Sequence, residues 1–253
     1  MTFGFCHLSI VPLREEASDS SQMISQLLFG DVFEVLEHVS DNWIKIRNAY
    51  DAYEGYMDPK QAIPIDSIDY VIFQEVKYTN NSPMEIVSSF GKQLLPSACS
   101  FPEKSFKIHD FQFNIEKNMI VFQQAGREQM IATAKSFLNA PYLWGGKTVY
   151  GIDCSGFTQM VYKISGVKIK RDASQQAQEG EMLNFLEEAR AGDLAFFDNE
   201  EGNITHVGIL VSDSQVIHAS GCVRMDKIDH HGIYHQELGK YTHRLRFIKR
   251  LLS

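Results

Sequence analysis

The first part of the chain alternates apolar and polar residues in short runs, which is typical of half-buried strands. Trp43 to Arg47 alternates cleanly, and residues 26–37 place alternating apolar positions around a Gly30-Asp31 turn. Leu8 to Leu13 also predicts a strand, with Pro12 near an edge or a bend. Short strands with frequent turn signals predict a small β-barrel or sandwich over residues 1–66.

Residues 67–125 carry a weaker form of the same pattern. Four short apolar runs, at Tyr70–Phe73, Glu85–Val87, Phe106–Ile108 and Met119–Phe122, are separated by Asn, Ser, Pro and Gly. Such punctuation is typical of loops between strands. We therefore predict a second, divergent β-domain here, although no internal repeat relates it to the first.

From residue 126 onward the apolar pattern becomes helical and then returns to strands. Apolar positions in residues 127–138 recur at helical spacing, and Asn139-Ala-Pro141 ends that predicted helix. A second helix is predicted from Ser155 to Ser165. Strand-like runs follow at 193–197, 206–211, 215–218 and 244–248. Helices followed by strands predict an α+β fold for residues 126–253 rather than a doubly wound sheet.

The composition argues against two classes of binding partner, nucleic acids and anionic membranes, and says little about others. The 253 residues are 44% hydrophobic and 22% charged, with a formal net charge of −8. Without a run of Lys or Arg, this charge argues against nucleic acid as a partner. It gives no attraction to an anionic membrane either.

The four cysteines, Cys6, Cys99, Cys154 and Cys222, lie far apart and form no C-x-x-C pair. This spacing argues against a cysteine-rich zinc site or a redox motif. A chain of this length can be stable without disulfides. We therefore predict free thiols.

The N-terminus has neither a basic segment nor a long apolar run, and strand-like sequence begins at once. No later stretch approaches the ~20 apolar residues of a membrane span. Met1 leading directly into a strand favours a cytoplasmic location. A periplasmic or secreted location applies if an export signal has been removed.

The strongest candidate chemistry lies in Pro141 to Phe157, together with two later histidines. Cys154 follows a Gly-rich, aromatic approach and begins a helical stretch, while His206 and His218 lie on predicted strands. A helix N-terminus and a nearby imidazolium both lower a thiol pKa, and the thiolate is the nucleophile. The pattern predicts a cysteine hydrolase. Free cysteines are more often inert core residues, but polar flanks make that reading weak for Cys154.

Two resemblances cover most of the chain. The Leu-Arg-Glu-Glu-Ala-Ser, Leu-Leu-Phe-Gly-Asp, Trp-Ile-Lys-Ile-Arg and Tyr-Glu-Gly-Tyr-Met segments of residues 1–66 resemble bacterial SH3-like domains. Residues 126–253 resemble the NlpC-type, papain-like cell-wall cysteine peptidases. The motifs that carry this second resemblance are Tyr-Leu-Trp-Gly-Gly, Asp-Cys-Ser-Gly, Ala-Gly-Asp-Leu-Ala-Phe-Phe and Thr-His-Val-Gly-Ile. The combination implies an α+β catalytic domain preceded by two SH3-like β-barrels, at 1–66 and 67–125.

The resemblance implies roles for four catalytic residues. Cys154 is the expected nucleophile, and His206 is the expected base that holds the thiolate as an ion pair and then protonates the leaving amine. His218 orients His206, because residues 206–211 and 215–218 form a plausible hairpin. Tyr142 shares the oxyanion hole with the Cys154 backbone N–H, or else is a packed aromatic residue.

Further residues are expected to bind substrate. Asp153 and Ser155 bind the free amine and backbone of an N-terminal L-alanine, or they cap the helix, or both. Trp144 forms either a cleft wall or core. Arg171 and Ser174 match the family's Arg-x-x-Ser segment and are assigned to the substrate's α-carboxylate.

Outside the catalytic domain, Glu54 and Tyr56 of the first SH3-like domain are candidates for gripping the substrate amine, or else form an ordinary surface strand. Cys6, Cys99 and Cys222 are expected to be structural. His230, His231 and His235 have no helix-spaced partner, so we predict a solvated loop there, no metal site and no cofactor.

The sequence thus predicts hydrolysis of the γ-D-glutamyl-diamino acid bond of peptidoglycan stem peptides, in free muropeptides with N-terminal L-alanine, by a monomer. Two alternatives remain open. One is an amidase or acyltransferase on the same fold. The other is a wall-binding SH3-like protein with a degenerate hydrolase. Neither the diamino acid accepted nor the role of the second β-domain follows from the residues.

Overall fold

The structure is a computed structural model that describes residues 2–115 and 119–252. The prediction of location drawn from Met1 concerns a residue outside this range. The chain divides into two compact units, Met1–Gln123 and Gln124–Ser253. Among the described residues, no helix combines the length and the apolar character that a membrane span requires.

The first unit begins with a seven-stranded antiparallel sheet in the order β3-β2-β6-β5-β4-β1-β7. Its strands are β1 (Phe3–Phe5), β2 (Ile10–Arg14), β3 (Met23–Leu28), β4 (Val32–Ser40), β5 (Trp43–Asn48), β6 (Glu54–Met57) and β7 (Ile63–Ile65). A 3-10 turn, Pro59–Gln61, precedes β7. The alternation of β2, β5 and β6 turns one face inward, and these faces bury a core that includes Val11, Leu13, Ile44, Ile46 and Met57.

The rest of the first unit consists of one helix and two small sheets, ordered β10-β9-β13-β12 and β11-β8-β14. The elements are α1 (Ser67–Gln74), β8 (Tyr78–Asn80), β9 (Met84–Ser88), β10 (Gly91–Leu95), β11 (Ser100–Phe101), β12 (Ser105–Ile108), β13 (Phe111–Asn114) and β14 (Met119–Val121). The predicted boundary at residue 66 falls between β7 and α1. The assignment of residues 67–125 to a second SH3-like domain stays a prediction.

One element differs in kind from its prediction. The apolar run Tyr70–Phe73 lies in α1 and not in a strand. Asp66 caps this helix, because its carboxylate accepts hydrogen bonds from the backbone N–H groups of Ile68 and Asp69 at 2.9 and 2.8 Å. A short apolar run does not distinguish a strand from a helix by itself, and the capping residue decides it here.

The two parts of the first unit share an aromatic core. Phe5 of β1 lies 5.5 Å from Phe73 of α1 and 5.8 Å from Phe106 of β12, between ring centroids. Phe106 in turn stacks on Phe113 at 5.0 Å. Burial of aromatic rings contributes much of a core's stability, so we expect these two parts to fold together.

The second unit places its helices on a sheet in the order β17-β23-β18-β19-β20-β21-β22. Its helices are α2 (Arg127–Ser136), α3 (Cys154–Ile164) and α4 (Ala173–Gln176), and Leu186–Glu188 is a 3-10 turn. Its strands are β15 (Lys147–Thr148), β16 (Gly151–Ile152), β17 (Glu181–Leu183), β18 (Leu194–Asp198), β19 (Ile204–Ser212), β20 (Gln215–Ser220), β21 (Cys222–Asp229), β22 (Gly232–His235) and β23 (Lys240–Arg250). The predicted helices and strands agree closely with α2, α3, β18, β19, β20 and β23.

Strand β23 closes this sheet. It pairs with β18 through residues 244–249 and with β22 through residues 240–244. Strands β18 to β23 therefore form a ring of neighbours around a core that includes Ala195, Phe197, Leu210 and Ile233. Closure brings β23 beside β18, whose other neighbour β19 carries the predicted catalytic histidine His206.

Candidate active site

Cys154 is the first residue of α3 and is only 7% exposed. Asp153 caps the helix, with its carboxylate accepting from the backbone N–H of Gly156 at 2.6 Å and of Gly145 at 2.8 Å. A Cβ on Gly156 would lie 2.2 Å from the carbonyl oxygen of Gly146. The Gly-rich approach therefore packs backbone against the first turn of the helix, and this close packing sets the position of the thiol.

A buried ion pair holds the capping residue. The Arg171 guanidinium, 1% exposed, donates to both carboxylate oxygens of Asp153 at 3.0 and 2.6 Å and to Ser155 Oγ at 2.9 Å. The two backbone N–H groups and the Ser155 hydroxyl, at 3.3 Å, also donate to Asp153. Together with the two bonds from Arg171, these donors outnumber the ~4 lone-pair positions of the carboxylate. The capping role is thus present in the structure. Substrate contacts by Asp153 and Ser155 stay predictions.

The expected contact of Arg171 with a substrate carboxylate does not fit this burial, because its guanidinium faces Asp153 and Ser155. Ser174, in contrast, is exposed in α4. Of the Arg-x-x-Ser pair, only Ser174 is open to solvent, and its substrate role stays a prediction.

The thiol lies against the strand that carries His206. Burial raises the pKa of Cys154 to about 12 and nearby Asp153 adds to this, whereas hydrogen bonds from the backbone N–H groups of Val207 and Ser155 lower it. Val207 directly follows His206 in β19. Burial also lowers the pKa of His206 well below its ordinary value, as do His243 and His218. Without substrate, these directions favour a neutral thiol and a neutral imidazole over the expected ion pair.

A hydrogen-bonded chain runs from His206 into the sheet. His206 Nε2 lies 2.9 Å from His218 Nδ1, and His218 Nε2 lies 3.0 Å from Asp226 Oδ2. Arg224 Nε donates to the same oxygen at 2.6 Å, and Arg224 NH2 donates to Asp226 Oδ1 at 3.0 Å. The predicted hairpin and the predicted contact between the two histidines are both present.

Asp226 determines the tautomers along this chain. Burial raises its pKa, but hydrogen bonds from His218 and Arg224 outweigh burial and hold the pKa far below the usual range. An ionised carboxylate only accepts, so His218 donates from Nε2 and keeps its lone pair on Nδ1. Nδ1 then accepts from His206 Nε2–H. The lone pair of a neutral His206 consequently lies on Nδ1, which is the basic nitrogen.

Gly208 is the glycine of the His-x-Gly strand, and the neighbouring strand leaves no room for a side chain at this position. It pairs with His218 across the hairpin, and a Cβ at Gly208 would lie 3.0 Å from the His218 Cβ and 2.6 Å from Val216 Cγ2. The missing side chain leaves the space through which His218 reaches His206.

Three residues of this site were not predicted from sequence. Asp226 and Arg224 lie on β21, one strand beyond His218. His243 lies on β23 and stacks on His206, with ring centroids 4.1 Å apart and planes 25° apart. The alternation of Arg224 and Asp226 along a strand was a possible signal for the first two. Nothing local marks His243, because only sheet closure brings it here.

Two aromatic residues flank the thiol in sequence. Burial, and then electrostatic interactions with Cys154 and Asp153, raise the pKa of Tyr142 to about 12, so its hydroxyl stays protonated. Trp144 is 57% exposed. The core alternative for Trp144 is therefore wrong, while a role as a cleft wall stays a prediction.

The residues predicted outside the catalytic unit belong to the first unit. Glu54 and Tyr56 lie on β6, where Glu54 pairs with Arg47 at 2.7 Å and with Lys45 at 3.0 Å. Hydrogen bonds from Arg47 and Lys45 lower the pKa of Glu54. The carboxylate is thus ionised and already paired, and its contact with substrate stays a prediction.

The four cysteines are free thiols, as predicted; Cys6 and Cys99 are buried and Cys222 is half-buried. His230 and His231 are exposed in the turn between β21 and β22. Within the described residues, the histidines that cluster at metal-binding distances are His206, His218 and His243.

Comparison with known proteins supports both parts of the architecture. The model of the NlpC/P60 family matches residues 139–244, and that of the bacterial dipeptidyl-peptidase Sh3 domain matches residues 13–61. The first match contains Cys154, His206 and His218, and the second contains Glu54 and Tyr56.

Two individual proteins are similar in sequence to this chain. A γ-D-glutamyl-L-lysine dipeptidyl-peptidase of Bacillus subtilis (strain 168) is 45% identical over 102 residues, which span 39% of this chain but only 34% of that protein. Dipeptidyl-peptidase 6 of Lysinibacillus sphaericus is 25% identical over 268 residues, which span 89% of this chain and 92% of that one.

A crystal structure of an NlpC/P60 family protein from Bacillus cereus ATCC 10987 shares the fold over the full length of both chains, with a TM-score of 0.81 and 18% identity. Fold, nucleophile geometry and family matches agree. Residues 139–244 of this chain are therefore identified as an NlpC/P60 domain, and residues 13–61 of its first unit as a bacterial dipeptidyl-peptidase SH3 domain.

Proposed function

We propose that this chain hydrolyses the amide bond between γ-D-glutamate and the following diamino acid in peptidoglycan stem peptides. The observation that carries the proposal is the position of Cys154, at a helix N-terminus and against the backbone N–H of Val207. The residue before Val207 is the first member of the His206–His218–Asp226 chain.

The reaction proceeds through a thioester. His206 Nδ1 takes the thiol proton as Cys154 Sγ attacks the γ-carbonyl carbon, and the helix N-terminus favours the charge that develops there. The protonated Tyr142 hydroxyl and the backbone N–H of Cys154 stabilise the oxyanion. His206 then gives its proton to the departing amine. A water molecule, deprotonated by His206, releases the acyl group and restores the thiol.

The names of the relatives support this substrate class. The Bacillus subtilis protein is named for a γ-D-glutamyl-L-lysine bond, and the Lysinibacillus sphaericus dipeptidyl-peptidase spans almost the same length as this chain. A dipeptidyl-peptidase requires a free N-terminus two residues before the cleaved bond. We assign Asp153, Ser155, Glu54 and Tyr56 to the end that carries the amine, Ser174 to the substrate's free α-carboxylate, and Trp144 to the wall of the cleft.

Free muropeptides with N-terminal L-alanine are the proposed substrates, acted on by a monomer in the cytoplasm as part of murein turnover. Fractionation of cells that produce a C-terminally tagged chain tests the location. Light scattering of the purified chain tests the oligomeric state.

The decisive experiment offers the full chain L-Ala-γ-D-Glu-diaminopimelate, the L-lysine analogue, and the N-acetylated form of each, and identifies products by mass spectrometry. We expect cleavage only of peptides with a free amine. Cys154→Ala abolishes cleavage, whereas Cys222→Ala, which removes a half-buried thiol on β21, retains it. Cleavage of the acetylated peptides would instead favour intact wall as substrate, and no cleavage of any peptide would favour a wall-binding protein.

A further inference from the structure

Three strands of the second unit bring three imidazole rings together. His206, His218 and His243 each place one ring nitrogen within 4.8 Å of those of the other two. His206 Nε2 and His218 Nδ1 are 2.9 Å apart, and the His243 ring lies on the His206 ring at 4.1 Å between centroids. We propose that these three side chains form an inhibitory Zn²⁺ site.

The separations suit zinc. Nitrogens bound to Zn²⁺ at ~2.0–2.1 Å in a tetrahedron lie about 3.3 Å from each other. The 2.9 Å separation of His206 Nε2 and His218 Nδ1 must therefore open slightly, and the longer separations, which reach up to 4.8 Å, must close. Three imidazoles plus one water is the usual ligand set of an open zinc site.

The cluster has a route to solvent. A cavity of about 480 Å³ is lined by His231, Tyr241, Thr242, His243 and Arg244. His243 is therefore reached from outside without opening the core, and binding requires its ring to turn from the stacked position toward the other two. A metal site needs such an entry path.

The outer hydrogen bonds also match a metal site. His218 already bonds to the Asp226 carboxylate through Nε2 at 3.0 Å, which leaves Nδ1 for a metal. His243 Nδ1 lies 2.9 Å from Thr242 Oγ1, which leaves Nε2. Metal-binding histidines characteristically make such a bond with their second nitrogen, most often to a carboxylate or another oxygen.

Zn²⁺ bound at this site would prevent His206 from acting as the base. His206 would bind the metal through Nε2, the nitrogen that carries its proton in the metal-free chain. That proton moves to Nδ1, so the number of protons on the ring is unchanged. Nδ1–H has no lone pair with which to take the Cys154 proton. The effect on turnover rests on the proposed function, whereas the binding of Zn²⁺ does not.

Calorimetric titration with ZnCl₂ tests binding directly. The parent for this test is the full chain with Cys154→Ala, which prevents binding to the thiol. We expect one Zn²⁺ per chain. Adding His243→Phe keeps an aromatic ring on His206 but should weaken binding at least about tenfold, because losing a ligand costs more than losing an outer-shell partner, worth ~10–100-fold. Adding His230→Ala, an exposed histidine, should leave affinity unchanged. Equal affinity in the parent and the His243→Phe variant, or no binding, overturns the site.

Turnover by the chain that retains Cys154 provides the second test. Zn²⁺ should slow peptide hydrolysis, EDTA should restore it, and His243→Phe should reduce sensitivity to Zn²⁺ by the same factor as affinity. Undiminished inhibition of the His243→Phe variant would place the inhibitory metal elsewhere and overturn the proposal. A chain that cleaves no peptide contradicts the proposed function alone, and the calorimetric result then decides the zinc site.

Discussion

The surroundings of two single residues, Cys154 and His206, determine whether the thiol and the imidazole are charged before substrate binds. Burial raises the pKa of Cys154 and lowers that of His206, so both groups are neutral before substrate arrives. The helix N-terminus and two backbone N–H groups favour the Cys154 thiolate, but they do not reverse the upward shift of its pKa. In the proposed reaction, proton transfer therefore accompanies attack on the substrate and does not precede it.

We therefore expect slow alkylation of Cys154 by iodoacetamide, with a rate that rises steadily up to at least about pH 9, because only the thiolate reacts. The measurement is mass-spectrometric labelling of Cys154 as a function of pH. Cys154→Ala reports labelling of the half-buried Cys222. A rate that reaches a plateau near pH 6 would instead reveal a stable thiolate–imidazolium pair.

Tyr142 is predicted to stabilise the oxyanion, and its raised pKa keeps the hydroxyl protonated and able to donate. Replacing it with Phe should lower kcat by ~100- to 1,000-fold with little change in KM. Tyr150→Phe, in the turn between β15 and β16 and 57% exposed, is the control. If both variants lose activity equally, the Tyr142 hydroxyl has no special part in the reaction.

Asp226 is a positioning residue, because it contacts His218 and not the reacting atoms. Asp226→Asn no longer forces His218 to donate through Nε2, so the His206 lone pair is no longer held on Nδ1. We expect kcat to fall about 10- to 100-fold. Because the carboxylate also raises the pKa of His218, the acid limb of the kcat profile should move as well.

Asp229→Asn, on the same strand, controls for loss of a carboxylate from β21. A fall in kcat that merely follows a fall in melting temperature, with an unchanged pH profile, would assign Asp226 a structural role only.

At the scale of elements, the first turn of α3 depends on contact with the Gly-rich approach. A Cβ at position 156 would lie 2.2 Å from the Gly146 carbonyl oxygen, and backbone cannot move aside as a side chain can. Gly156→Ala should reduce the free energy of unfolding by ~1–3 kcal/mol and displace the thiol.

Urea unfolding and peptide hydrolysis measure these two effects of Gly156→Ala. Gly126→Ala, whose added Cβ meets no atom within 4 Å, is the control and should retain activity. Normal turnover by Gly156→Ala would show that the loop adjusts without moving the nucleophile.

Element prediction succeeded where local pattern and packing agreed. The β19–β20 hairpin was predicted from two consecutive strand-like runs, and its sheet pairing confirms that prediction. It failed at α1, where an apolar run of four residues had no period of its own. The Asp66 cap, three to four residues before that run, was the overlooked signal.

At the scale of the whole molecule, three histidines of the second unit make its stability depend on pH. Burial lowers the pKa of His206, His218 and His243, the last to about 4. Below their unfolded pKa of about 6.5, the unfolded chain binds more protons than the folded one. The free energy of unfolding therefore falls as pH drops below that value.

For His243 alone the loss between pH 7.5 and pH 5 should be about 2 kcal/mol. Urea unfolding at these two pH values measures it. His243→Phe should reduce the pH dependence by about that amount, whereas the exposed His230→Ala should not. An unchanged pH dependence in the His243→Phe variant would mean that His243 has the same pKa in the folded and the unfolded chain.

The amino-acid sequence by itself determined the position of Cys154 at a helix start, the hairpin that joins His206 and His218, and the division into a β-rich first part and an α+β second part. Each of these is encoded in contiguous residues: a capped helix start after glycines, and a hairpin whose alternation places His206 and His218 on one face. Local periodicity and motif order are sufficient for such features.

Only the tertiary structure decided the rest. His243 reaches His206 because β23 pairs with both β18 and β22, a closure between strands more than 40 residues apart in sequence. Arg171 turns inward because burial requires a partner for the Asp153 carboxylate, which no local pattern indicates. Contacts made across a closed sheet and within a buried polar network depend on all the strands at once, and for that reason no single stretch of sequence contains them.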